Sequence, residues 1–195
     1  MNRPSASLPA DYFESMFRGT EDPWDLESGA YERGKYAHTV QALRGRAYRQ
    51  AFEVGCAKGV LTAGLAPHCG ALLAIDVSAT ALKAARARCA PLDQVSFANM
   101  VFPQQAPSRE FDLVVLSEVV YYWDDRDIRR AATWIASQVE TGGDILLVHW
   151  TGETDYPQGG DEAVEKLHGF LAGRIEVVTA ERTAQYRLDL WRRLP

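Results

Sequence analysis

Ala51-Phe52-Glu53-Val54-Gly55-Cys56-Ala57-Lys58-Gly59 is the stretch whose reading decides the fold. Ala51–Val54 is a short, largely apolar run that reads as a strand, and Gly55 ends it. Val60–Ala66 reads as a helix that stops at Pro67. A glycine directly after a buried strand lets the backbone turn sharply and lets a ligand come close to it. The second glycine, Gly59, opens the helix, whose first amides suit a polar ligand. A dinucleotide turn asks for Gly-x-Gly-x-x-Gly. Counted from Gly55, those positions hold Gly55, Ala57 and Val60. Two of the three fail, so a pyrophosphate site is disfavoured. What remains is acidic-x-Gly-x-x-x-Gly, either one edge of a ligand site or a tight turn with no ligand.

Downstream, Ala71–Ile75 reads as a second strand that ends at Asp76. A carboxylate there can accept from both hydroxyls of a ribose, although it can also serve as a plain helix cap. Ser78 caps the next helix, its hydroxyl accepting from a first-turn amide. Val95–Ala98 is a short third strand. Asn99 and Met100 follow it in a loop that on its own reads equally as an ordinary connection.

Phe111–Leu116 is nearly all apolar, as a buried parallel strand should be. It ends in Ser117-Glu118-Val119-Val120-Tyr121-Tyr122-Trp123. Three successive aromatics cannot all pack inward, so some line a pocket. Glu118 suits an amine or a proton there, with Tyr122 beside it. A helix starting at Asp124 or Asp125 puts Ile128, Ala131, Ile135 and Val139 on one face. Gly142-Gly143 is expected to end it. Ile145–Val148 is a fifth strand, and His149 is expected to open onto the same crevice. An imidazole near neutrality can take the proton of an amine, and a structural role is the even alternative. After a loop running from Thr151 to Pro157, a helix lies around Glu162–Leu171. Arg174–Thr179 and Gln185–Trp191 then pair as an antiparallel hairpin at the sheet edge.

Strands alternating with helices place the chain in the α/β class. The expected architecture is one Rossmann-like domain with a mostly parallel seven-stranded sheet, an antiparallel edge hairpin and helices on both faces. Residues 1–46 read as a tail with lid helices and residues 47–195 as the core. Met1–Pro9 reads as a loose tail, Asp11–Phe17 as a short aromatic stretch, and the segment from Tyr31 as a helix ending near Arg46. Trp24, Tyr31, Arg33 and Tyr36 form either a lid, with Arg33 reaching a ligand carboxylate, or a solvated helix face.

The chain has 195 residues, which suits one substantial core, and a net charge of -5. That balance argues against non-specific wrapping of nucleic acid, which needs Lys and Arg at phosphates. No apolar run approaches the roughly 18 residues of a membrane span, and no signal peptide is read at the N-terminus. The three cysteines, Cys56, Cys69 and Cys89, fit neither a disulfide framework nor a zinc site. They suggest packing residues in a cytoplasmic protein. No metal site is expected, and the chain reads as a monomer or weak dimer.

Glu53–Gly59 resembles the first motif of class I S-adenosylmethionine-dependent methyltransferases. Three segments together are similar to the nodulation protein S (NodS) family within that class. They are Asp22-Pro23-Trp24-Asp25-Leu26 with Tyr31-Glu32-Arg33, then Phe52–Gly59 continuing through Leu65–Cys69 to Ile75–Val77, then Ser117–Tyr122. The resemblance runs over about residues 20 to 150. It implies S-adenosyl-L-methionine as methyl donor, with S-adenosyl-L-homocysteine as product. The donor would be held by Trp24, Tyr31, Arg33, Glu53, Gly55, Gly59, Asp76, Val77, Asn99, Met100 and Ser117. Glu118, Tyr122 and His149 would serve the acceptor. The family's named member N-methylates a partly deacetylated chitin oligosaccharide, so the acceptor implied here is the amine of an amino sugar or a related small polar metabolite. An O-methyltransferase of a small metabolite and a non-catalytic S-adenosylmethionine-binding protein are the alternatives.

Overall fold

The computed structural model describes residues 3–195. Met1 and Asn2, the start of the expected tail, lie outside the described residues. The chain divides into two compact units, residues 9–101 and residues 1–8 with 102–195.

In the first unit, α1 (Ala10–Gly19) and α2 (Ala30–Ala42) precede β1 (Ala51–Val54), α3 (Val60–Leu65), β2 (Leu72–Asp76), α4 (Ala79–Arg88) and β3 (Val95–Asn99). β1 pairs in parallel with β2, and β2 with β3. Every residue of β1 is buried, which leaves this strand no polar face. Cys56, Ala74 and Leu82 form a small core cluster on which Phe97 packs. All three cysteines are buried and unlinked.

The second unit contains β4 (Phe111–Ser117), α5 (Asp125–Gln138), β5 (Val139–Trp150), α6 (Gly160–Phe170), β6 (Ile175–Arg182) and β7 (Tyr186–Arg193). β4 and β5 are parallel, while β7 runs antiparallel to both β5 and β6. The strand order is β3-β2-β1-β4-β5-β7-β6 in a seven-stranded sheet. It is mostly parallel with an antiparallel edge pair and carries helices, as the alternating pattern predicts. Asp124 caps α5 by accepting the N–H of Asp127 at 2.9 Å.

Asp11–Phe17, read only as short and aromatic, belongs to a helix, with Phe17 buried. Two local expectations are corrected. The helix from Tyr31 ends at Ala42 rather than near Arg46. Gly142-Gly143 does not end α5, which stops at Gln138. Val139 already pairs with Phe111, and the register shifts before Leu113 meets Asp144. Gly142 takes φ +78°, and a Cβ on Gly143 would lie 2.9 Å from the carbonyl oxygen of Glu140. The glycines therefore serve an irregularity inside β5.

Candidate functional site

The glycine turn is stitched to β2. The N–H groups of Gly55 and Cys56 both donate to the carbonyl of Ile75, over 2.8 and 2.9 Å. Gly55 and Gly59 have φ of +76° and +77°, the left-handed region in which only glycine is unstrained. A Cβ on Gly59 would stand 3.1 Å from both Cα and Cβ of Ala85. Glycine is thus needed for the turn and also for the close approach of the α3 start to α4.

Behind the turn, Glu53 is 1% exposed and accepts from Thr62 Oγ1 at 2.6 Å. Burial pushes its carboxyl up to about 7, opposed by the Thr62 bond and reinforced by the charge of Asp76. Asp76 ends β2 and is 7% exposed. Its Oδ2 accepts the N–H of Ala57 and its Oδ1 the N–H of Ser78, each at 2.8 Å. Burial pushes Asp76 up to about 6, against the pull of these amides.

Asn99 Nδ2 donates to the carbonyls of Asp76 and Val77, each at 2.9 Å, and the N–H of Met100 donates to Asp76 at 3.1 Å. The side chain of Asn99 thereby ties the ends of β2 and β3 together. Val77 and Met100 are half-buried beside it.

The segment before α2 lies in the same unit. Asp22 accepts from the N–H groups of Glu27 and Ser28, at 3.0 Å each, and from the Ser28 hydroxyl at 2.9 Å. Trp24 and Asp25 both adopt positive φ, 58° and 55°, a region that non-glycine residues occupy uncommonly. Trp24 is 40% exposed and meets Phe17 edge-on at 6.0 Å. Lys58 and Arg88 both pair with Glu27. Lys58 also donates to the carbonyl of Glu21 at 2.8 Å, so this segment is pinned to the glycine turn. Arg33 is exposed and donates to the Ser28 carbonyl at 2.5 Å, which shores up the segment itself. The ring of Tyr31 lies 5.1 Å from Nζ of Lys35, which is buried and paired with Glu32 at 2.9 Å.

Glu14 of α1 was not expected. It accepts from Ser78 Oγ at 2.6 Å and from Thr80 Oγ1 at 2.7 Å, capping α4 immediately after Asp76 and Val77. These hydroxyls hold its carboxyl down at about 2, well below its usual range. Nothing in the sequence links position 14 to position 78.

The second unit carries the remaining expected residues. Ser117 ends β4, half-buried. Glu118 follows at φ +58°, donates its N–H to Val148 at 2.7 Å, and accepts the N–H of Trp150 on Oε1 at 3.0 Å. Tyr121 meets Tyr122 edge-on at 4.6 Å. Tyr156 stacks on Tyr121 at 5.3 Å and lies edge-on to Tyr122 at 4.7 Å. Hydrogen bonds join the three from Tyr121 through Tyr122 to Tyr156, and burial, with neighbouring charge from Glu118, pushes the phenols of Tyr121 and Tyr122 well above their ordinary value. Tyr156 had no periodic signal in the sequence, only its place in a Gly, Asp and Pro loop.

His149 differs from expectation. β5 runs on to Trp150 and pairs His149 with Arg187 of β7, so His149 sits inside the strand. It has no exposed surface, and its Nε2 accepts the N–H of Val120 at 3.1 Å. That bond makes Nε2 an acceptor already engaged in holding the aromatic turn.

The tail is not loose at residues 3–8. The N–H of Leu8 donates to the carbonyl of Tyr122 at 2.9 Å. Ser7 bridges Asp127 and the N–H of Asp124. Among the described residues, no helix is long and apolar enough to cross a membrane. Among them, too, no group of three or more His, Cys, Asp or Glu could hold a metal ion.

The family model described as Nodulation protein S (NodS) matches residues 15–149. Nodulation protein S of Bradyrhizobium diazoefficiens is 36% identical over 107 residues, covering 54% of this chain and 51% of that protein. Nodulation protein S of Sinorhizobium fredii is 33% identical over 129 residues, covering 65% and 60%. The chain thus spans between half and two thirds of the length of these curated relatives. The crystal structure of the N-methyltransferase NodS from Bradyrhizobium japonicum WM9, in complex with S-adenosyl-L-homocysteine, is similar with a TM-score of 0.81 and 26% identity. That likeness covers 93% of this chain and 97% of that one.

Proposed function

Because the chain belongs to the nodulation protein S family, we infer that it is an S-adenosylmethionine-dependent methyltransferase acting on the amine of an amino sugar or a related small polar metabolite. The observation that carries this reading is Asp76, a buried carboxylate at a strand end, anchored on both oxygens to the amides of Ala57 and Ser78. Anchored in this way it offers a fixed pair of acceptors to the two hydroxyls of a ribose. The left-handed glycines beside it give the backbone a close approach to an adenosyl ligand.

The residues fit the donor in kind. Gly55 and Gly59 shape the turn, Asp76 accepts from the ribose, and Val77 and Met100 border the base. Trp24 and Tyr31 supply aromatic cover, and Arg33 a cation for the methionyl carboxylate. When bound, S-adenosyl-L-methionine supplies an electrophilic methyl group and leaves as S-adenosyl-L-homocysteine.

The chain's own task is then to orient the amine and manage its proton. An ammonium cannot attack a methyl group, so a proton must leave before transfer. Glu118 brings negative charge beside the phenols of Tyr121 and Tyr122, where an ammonium is balanced and its proton accepted. His149 acts through the Val120 N–H to fix the aromatic turn, a positioning role in place of the base first expected. Much of the rate would come from holding nitrogen, methyl and sulfur in line.

The test is transfer of labelled methyl from S-adenosyl-L-methionine to a panel of glucosamine oligomers, simple amines and hydroxylated sugars. Label in the amines of the oligomers supports the reading. Label on hydroxyls would make the chain an O-methyltransferase. Tight S-adenosyl-L-homocysteine binding with no transfer on any acceptor would make it a non-catalytic binder.

A further inference from the structure

The turn Val120–Tyr122 is held from two directions by segments outside residues 15–149, the stretch the family model matches. The carbonyl of Tyr121 accepts the N–H of Gln158 at 3.1 Å, and the carbonyl of Tyr122 accepts the N–H of Leu8 at 2.9 Å. Both holders are themselves fixed. Gln158 is 5% exposed, donates to Asp125 at 3.1 Å and accepts from Lys166 at 2.8 Å. Ser7 donates to Asp127 at 2.5 Å and accepts the N–H of Asp124 at 2.9 Å, which fastens the strap to the start of α5. Arg3 reaches Glu162 at 3.5 Å. The same loop that carries Gln158 lays Tyr156 on Tyr121, with an interplanar angle of 25°.

We infer that the strap Arg3–Leu8 and the loop residue Tyr156 determine acceptor specificity, by fixing the shape of the Tyr122–Tyr156 surface, laid over the buried Tyr121, for an amine carried on a pyranose ring. The apolar face of such a ring packs on tyrosine while its hydroxyls meet the linked phenols. The strap reaches the turn through the Leu8 N–H and is fastened to the start of α5 by the Ser7 hydroxyl, so Ser7 and Leu8 are positioning residues, whereas Tyr156 belongs to the surface itself. The inference rests on the reading that Glu118 and Tyr122 serve the acceptor. It adds that the discriminating parts lie where the family signature is silent, so relatives sharing the donor motif can differ in acceptor.

The experiment compares the wild-type chain with Ser7→Ala, Tyr156→Ala and Tyr156→Phe. The probe is the fully de-N-acetylated chitin tetrasaccharide. KM and kcat for the probe, the S-adenosyl-L-homocysteine dissociation constant by calorimetry, and amide exchange at Val119–Trp123 are measured. Tyr156→Ala is expected to raise the probe's KM about 3- to 10-fold, the size of one lost aromatic contact, with donor-product affinity unchanged. Tyr156→Phe, which keeps the ring, recovers most of that loss. Ser7→Ala raises KM and speeds exchange at Val119–Trp123, but not at Gly55–Gly59. An unchanged KM in both Ser7→Ala and Tyr156→Ala overturns the inference, as does a parallel loss of S-adenosyl-L-homocysteine affinity. No methyl transfer by the wild-type chain to any amine of the panel defeats both this inference and the functional reading. Wild-type transfer with unmoved variants defeats this inference alone.

Discussion

Ala57 donates its backbone N–H to Oδ2 of Asp76 across 2.8 Å, joining the glycine turn after β1 to the acidic end of β2. One bond thereby sets the spacing between the backbone that would approach an adenosyl ligand and the carboxylate that would hold its ribose. Ser78 holds the other oxygen, so the carboxylate plane cannot swing.

Asp76→Asn replaces one accepting oxygen with an N–H₂ that faces an N–H donor. The turn loses an anchor and the ribose loses charge-assisted partners. Two bonds to a charged group, at about 1.5–3 kcal/mol each, predict at least about 100-fold weaker binding of S-adenosyl-L-homocysteine. Calorimetry checks this, and affinity within threefold of wild type would remove Asp76 from the site.

Affinity should also depend on pH. Asp76 ionises at about 6 in the free protein, and hydroxyl donors favour its ionised form. Its bound value therefore lies lower. Binding is complete above about 6 and weakens as pH falls through it, up to about tenfold per unit for one proton. Titrations from pH 7.5 to 5 read this directly, and a flat profile would contradict it.

Glu53 predicts a stability effect of opposite sense. Its carboxyl is raised from 4.5 to about 7, so the folded chain takes up a proton the unfolded chain lacks. Stability from this group is full below 4.5 and falls as pH rises through about 7. Glu53→Gln removes the buried charge and keeps an acceptor for Thr62. At pH 8 it should gain about 1–3 kcal/mol in urea unfolding, and at pH 4 almost nothing. A loss at pH 8 would show that the charge is matched by a favourable partner.

Gly59→Ala faces both a left-handed backbone and the atoms of Ala85 at 3.1 Å. Together these cost about 2 kcal/mol or more, a fall of at least roughly 4–8 °C in Tm for a chain of this size. A variant that melts with the wild type would mean the two helices part easily.

Glu14→Ala removes a cap shared by Ser78 and Thr80, typically worth about 0.5–2 kcal/mol. Because Glu14 is held at about 2 against 4.5, its contribution is full above 4.5 and fades as pH falls toward 2. The gap between variant and wild type in thermal melts should therefore be wide at pH 7 and narrow at pH 3. Equal gaps at both would assign the loss to packing alone.

The strands were legible because buried parallel strands write themselves as apolar runs. Phe111–Leu116 needed only one added residue, Ser117. Gly142-Gly143 misled because a glycine pair is the same signal for a helix end and for a kinked strand; only the pairing of Val139 with Phe111 decides it. Asp76 could be read from its place at a strand end. Glu14 and Tyr156 could not, since their partners are 64 residues (Ser78) and 34 to 35 residues (Tyr122 and Tyr121) away, with no periodicity connecting them. His149 looked like a strand end because the apolar run stops at Val148, whereas the ladder to β7 continues through it.

Glu27 faces two cations at once, Lys58 from the glycine turn and Arg88 from the end of α4, and all three side chains keep some exposure, from 14% to 36%. Dissolved salt therefore reaches this cluster, with a screening length of about 8 Å near 0.15 M. The fastening of residues 22–28 over the turn is an ionic clasp. Its tightness follows the electrolyte in which the protein works.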